Sequence, residues 1–253
     1  MSYYTSSVTA SVRQYGIRTL LEQLGVDSLN PPVNTLFRIG DGYNATLGEL
    51  LVFLNGMLQD TTALNYAETD ERTLTMNVGL NPRARLLGIN VVRNTGEGGL
   101  IAVDRPPAFV GGVIYQTSQP YGNPNELMVF MNGQLLIRGV GYATLPPNQF
   151  SMLVPIPPGA VFVTAIVNNG AQGLQFRETN VGFGAFPAIV PTVNFLDKNE
   201  NEFLVFINGQ LQAENFDYHL LYNNQVVVTR VIPGANDIEI IGIRSSHPSR
   251  WRS

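Results

Sequence analysis

The chain has 253 residues, with 15 basic and 19 acidic side chains and a formal net charge of −4. Charged residues make up 13%, about half the usual fraction, while 25 Gly, 16 Pro and 24 Asn supply neutral turn formers, so many short strands joined by tight turns are expected. With no Cys, only His219 and His247, and a single Lys198 beside 14 scattered Arg, the chain lacks the means for disulfides, thiolate metal sites, cysteine nucleophiles or a phosphate-tracking nucleic-acid surface.

Residues 1–7 carry neither a basic nor an apolar stretch, so no secretory leader is expected. No run of about 18 apolar residues occurs anywhere, which excludes a helical membrane span and insertion by that route. Between residues 8 and 24, Val8, Val12, Tyr15, Leu20, Leu21 and Leu24 recur at roughly helical spacing, with Gly25 placed to end the helix and Asn30-Pro31-Pro32 to stop regular structure. Residues 1–33 therefore read as an N-terminal arm with a short helix. The helix either packs on the adjacent module or docks into a larger assembly, with Tyr15, Leu20 and Leu24 as candidate interface residues.

The rest of the chain is a repeat. Glu49-Leu50-Leu51-Val52-Phe53-Leu54-Asn55-Gly56-Met57-Leu58-Gln59 returns as Glu126-Leu127-Met128-Val129-Phe130-Met131-Asn132-Gly133-Gln134-Leu135-Leu136. It returns again as Glu202-Phe203-Leu204-Val205-Phe206-Ile207-Asn208-Gly209-Gln210-Leu211-Gln212, so the glutamates are 77 and then 76 residues apart. A tyrosine follows each copy (Tyr66, Tyr142, Tyr218), and later an apolar strand, a Pro/Gly turn and another apolar strand. Asn-Gly is the preferred pair for a two-residue type I′ hairpin, because both central residues need positive φ. The repeat predicts Asn55-Gly56, Asn132-Gly133 and Asn208-Gly209 as structural turns. Strands such as Val52-Phe53-Leu54 are apolar on both faces, so one face is expected against the module's own second sheet and the other against a neighbouring module or another chain. The expected architecture is all-β, with three tandem small antiparallel β-sandwich modules over 34–108, 109–185 and 186–253. Gly-rich segments at 94–99 and 169–173 follow the last strands of the first two modules.

Residues that could carry chemistry read more simply as structure. Asp197-Lys198-Asn199-Glu200-Asn201-Glu202 resembles the start of a calcium loop, but its sixth residue is Glu202 and its twelfth is Asn208, already in a hairpin turn. Asp217 and His219 could share a strand face, yet no nucleophile motif accompanies them. Glu49, Glu126 and Glu202 occupy equivalent positions in different copies, where no one cleft would gather them as a glycosidase pair. Gly96-Glu97-Gly98-Gly99 lacks the Lys-Ser/Thr ending of a phosphate loop. Tyr66, Tyr142 and Tyr218 read as core or corner residues ahead of sugar platforms. The tail places Trp251 between Arg250 and Arg252, a pairing enriched at binding hot spots, against the plain reading of a frayed terminus. No catalytic, cofactor or metal residue is expected, and no enzymatic activity.

The segment Val-Phe-x-Asn-Gly-x-Leu-Gln, followed by a Tyr and a Pro/Gly turn between apolar strands, resembles a repeat common in bacteriophage virion proteins. It is frequent in tail-fibre, neck and other appendage proteins of tailed phages. The likeness runs from about residue 34 to 245 and is strongest in the third copy, with Asn208-Gly209-Gln210-Leu211-Gln212, Asp217-Tyr218 and Pro233-Gly234-Ala235. The other copies have Asn65 and Gly141 before the tyrosine, and the second has Leu136 in place of the Gln59 and Gln212 of its counterparts. The resemblance implies a non-enzymatic virion component made in the host cytoplasm, self-associating as a homo-oligomer and meeting other virion proteins. Recognition of a host surface glycan and capsid decoration are the alternatives it leaves open.

Overall fold

The computed structural model describes residues 4–5, 20–24, 35–38, 50–59, 65–70, 73–80, 86–90, 100–104, 106, 114–167, 174–194, 201–212, 214, 217–221 and 224–244. A two-residue strand, β1 (Tyr4–Thr5), precedes three groups of seven strands. The first group is β2 (Leu20–Leu24), β3 (Thr35–Arg38), β4 (Leu50–Leu54), β5 (Met57–Leu58), β6 (Tyr66–Asp70), β7 (Thr73–Met76) and β8 (Leu86–Asn90). The second is β9 (Leu100–Asp104), β10 (Ile114–Gln116), β11 (Leu127–Met131), β12 (Gln134–Leu135), β13 (Tyr142–Leu145), β14 (Gln149–Met152) and β15 (Phe162–Val167). The third is β16 (Leu174–Asn180), β17 (Phe186–Pro191), β18 (Asn201–Ile207), β19 (Gln210–Leu211), β20 (Tyr218–Leu221), β21 (Gln225–Ile232) and β22 (Ile238–Arg244).

Each group pairs in the same way. The inner sheets run β2-β8-β4-β5, β9-β15-β11-β12 and β16-β22-β18-β19, and the outer sheets β3-β7-β6, β10-β14-β13 and β17-β21-β20. All of these pairings are antiparallel, and β1 adds to β3 in parallel. The all-β modules expected from the repeat are therefore present, each a small two-sheet sandwich.

Two expectations shift. Leu20, Leu21 and Leu24, read as one face of a helix, lie in β2, which pairs with β8 through Leu21↔Ile89. Leu-Leu-Glu-Gln-Leu fits either period, and the open edge of an inner sheet decides it. Residues 8–19 of that reading lie outside the described residues. The boundaries expected near 33, 108 and 185 fall after each module's first strand, because β9 pairs with β15 and β16 with β22. The changes of module fall between β8 and β9 and between β15 and β16 instead.

Strand alternation then distributes the core. In the first module Leu50 and Val52 pack with Phe37, Tyr66, Leu74 and Met76 between the two sheets. In the second, Leu127 and Val129 do so with Tyr115, Tyr142 and Phe150, and in the third Val205 does so with Val190, Tyr218 and Val226. The intervening residues of the same strands point the other way and meet one another: Leu51, Phe53, Met128, Phe130, Leu204 and Phe206 form one buried cluster with Leu58, Leu135 and Leu211. Phe53, Phe130 and Phe206 stand in mutual contact, with ring centroids 6.1, 6.2 and 6.2 Å apart. The modules are thus wrapped around a shared central core as a closed pseudo-threefold ring, and not strung out in a line.

Candidate functional site

The sites that do most in this fold are the seams between modules, and the predicted Asn-Gly turns build them. Asn55, Asn132 and Asn208 have φ of 50°, 51° and 50°, and Gly56, Gly133 and Gly209 have φ of 82°, 81° and 76°. These are the left-handed conformations a type I′ hairpin demands. Each turn then lies against the hairpin of the neighbouring module. The Leu58 amide donates to the Gly133 carbonyl, Leu135 to Gly209 and Leu211 to Gly56, each at 2.9 Å. Taken in order, these three bonds link the first module to the second, the second to the third and the third to the first. A heterologous contact that closes after three repeats is how rings normally form between subunits; here it forms within one chain.

Glycine is required twice over at these turns. A Cβ on Gly56, Gly133 or Gly209 would stand 2.5, 2.5 or 2.6 Å from the carbonyl oxygen of Leu211, Leu58 or Leu135. Asparagine contributes through its side chain as well. The Oδ1 atoms of Asn132 and Asn208 accept from the Val161 and Asp237 amides, each at 2.9 Å, tying the turn to the start of the last strand of its module.

The repeated tyrosines form a second internal set. Tyr66, Tyr142 and Tyr218 are buried. Their hydroxyls donate to the carbonyls of Leu50 at 3.1 Å, Leu127 at 2.5 Å and Phe203 at 3.2 Å, the residues that directly follow the repeat glutamates. They are corner residues joining outer sheet to inner, with no ring face left for a sugar. Tyr218→Phe is expected to lower the free energy of unfolding by about 1 kcal/mol, measured by urea denaturation. Tyr142→Phe should also lower it, because its hydroxyl both donates to Leu127 and accepts from Arg177. A midpoint unchanged from wild type in either variant would refute the role of that hydroxyl.

Arg177 is the functional residue that reading the repeat missed. Its side chain and that of Glu239 are each 2% exposed and form an ion pair through Nε and Oε1. Its Nη1 crosses the seam from β16 to donate to the Leu127 carbonyl at 2.7 Å and the Tyr142 hydroxyl at 3.2 Å. Burial pushes the Tyr142 hydroxyl up from its ordinary pKa, so it enters this contact neutral. Burial pulls the guanidinium down, but the Glu239 carboxylate and the hydrogen bonds to Glu239 and Tyr142 act against it, and the charge is kept. Strand pairing puts Leu21 and Val103 where Arg177 stands, and Leu87 and Val163 where Glu239 stands. A charge in an otherwise apolar column was the available signal, but it shows only once the first strand of each module is recognised.

The remaining candidates do not converge. Glu126 is buried in a capping box, its carboxylate accepting from the Gly122 and Asn123 amides. Glu202 lies in β18, and Glu49 falls outside the described residues. Asp217 is buried whereas His219 is exposed on β20, so the two do not share an environment. Tyr15, Arg250, Trp251 and Arg252 lie outside the described residues, as do residues 94–99. Leu20 and Leu24 are placed in β2 of the first module's inner sheet. Among the described residues no helix is long and apolar enough to cross a membrane. Compared with known protein families and with curated proteins, the chain matches no family model and no curated sequence.

Proposed function

We propose that this chain is a structural component of a tailed-phage virion, in the tail, neck or a fibre, and that it acts through protein–protein assembly without catalysing a reaction. What supports the reading is the use to which the repeat is put. Its Gly and Phe positions hold three sandwiches in one ring, and its Asn and Tyr positions brace each sandwich from within, which suits a rigid building block. The likeness of Val-Phe-x-Asn-Gly-x-Leu-Gln to virion repeats supplies the setting. The second apolar face of each central strand is met by a neighbouring module of the same chain, so copies of the chain would meet each other and other virion proteins through surfaces outside the seams. The tyrosines, buried as they are, lend nothing to the glycan-binding alternative.

The test is electron microscopy and peptide mass spectrometry of purified particles from infected cells. The expected result is the chain in the particle, with density matching a closed ring of three sandwiches. A chain found only free in the host cell would overturn the proposal.

A further inference from the structure

We propose that the Asn-Gly turns are latent self-modification sites held in check by ring closure, and that Asn132 is more reactive than Asn208. Asn-Gly is chemically prone to deamidation, because glycine places no side chain beside the attacking nitrogen. The Gly133 amide nitrogen attacks Cγ of Asn132, an N–Cγ bond forms and the Cγ–Nδ2 bond breaks. The departing nitrogen takes up the amide proton and leaves as ammonia. Water then opens the resulting succinimide to aspartate or isoaspartate, and no other co-reactant is needed.

The fold resists this step in two ways. The Gly133 carbonyl is bonded to the Leu58 amide at 2.9 Å, and the space beside the glycine is filled by the first module, so the turn cannot rotate into the attacking geometry while the seam is closed. The side chain is also tied, Asn132 Oδ1 to the Val161 amide and Asn208 Oδ1 to the Asp237 amide. The ties are unequal. Asn208 Nδ2, the nitrogen that would leave, also donates to Asn236 Oδ1 at 2.7 Å. Asn236 is buried and fixed in turn by the carbonyls of Gly184 at 2.6 Å and Gly234 at 3.0 Å. The second module has Ala160 immediately before Val161, where the third has Asn236 immediately before Asp237, and an alanine side chain accepts nothing.

Asn132 is therefore held by one bond fewer than Asn208. Isoaspartate at position 132 would route the main chain through an extra carbon where the turn meets the first module, so the modification would also loosen the seam between the first two modules.

The full chain would be incubated at pH 8.5 and 37 °C, folded and in denaturant, and the Asn132 and Asn208 peptides followed by mass spectrometry with isoaspartate detection. In denaturant the two sites should convert at similar rates. In the folded chain both should slow by at least about tenfold, since reaction waits on local opening. Asn132 should then run about fivefold ahead of Asn208, the factor associated with one net hydrogen bond. In Ala160→Asn, conversion of Asn132 should fall towards that of Asn208. Should that variant fail to fold, the wild-type ordering alone decides. Folded Asn132 converting as fast as in denaturant, or no faster than Asn208, would overturn the proposal.

Discussion

Gly133→Ala is expected to destabilise the protein by about 2–5 kcal/mol, combining the left-handed backbone penalty with the cost of overpacking. For a chain of this size that is a fall in Tm of roughly 5–15 °C. Position 133 has φ +81°, and the added methyl would lie 2.5 Å from the Leu58 carbonyl, against backbone that cannot swing aside. Gly159→Ala is the matched control. Its φ is +74°, but nothing lies within 4 Å of the added carbon, so only the backbone penalty of about 1–2 kcal/mol applies. Calorimetry of the two variants separates conformational strain from seam closure. Equal losses would mean that the contact between modules contributes nothing measurable.

Arg177→Met should be the most damaging single change at the seam between the second and third modules, at about 3–5 kcal/mol, because it strands the buried Glu239 carboxylate without its partner. Replacing both members, as Arg177→Met with Glu239→Val, should cost far less and come within about 1 kcal/mol of wild type, since a buried ion pair is often no better than apolar residues of similar volume. Valine is what the second module carries at both positions, Val103 and Val163. Among the described residues Arg177 Nη2 and Glu239 Oε2 also find no hydrogen-bond partner, so the pair enters the core with its polar atoms incompletely met. Denaturant titration of Arg177→Met, Glu239→Val and the double variant closes the cycle and gives the coupling energy. A double variant as unstable as the single one would show that Arg177 matters for its bonds to Leu127 and Tyr142 and not for neutralising Glu239.

Much of the fold was legible in local chemistry. Asn-Gly after four or five apolar residues specifies a type I′ hairpin because few other pairs take positive φ twice, and the turns at 55, 132 and 208 have that geometry. The apolar residues on both faces of Val52-Phe53-Leu54 required two covers, and two exist. The first strand of each module was not legible. Leu20–Leu24, Leu100–Asp104 and Leu174–Asn180 share no signature, because an edge strand needs only a pairing partner, and one equivalent position carries Leu21, Val103 or Arg177.

The sequence by itself determined the β modules, their number, their hairpin turns and the tyrosines that join their sheets, since all of these follow from backbone preference and strand alternation within a few dozen residues. Only the tertiary structure decided that the modules close on one another in a ring. That depends on how three sheets meet across about 150 residues, on Phe53, Phe130 and Phe206 reaching one centre and on the third module's hairpin returning to the first. Local periodicity states that a face is apolar and must be covered; which surface covers it is set by the geometry of the whole chain.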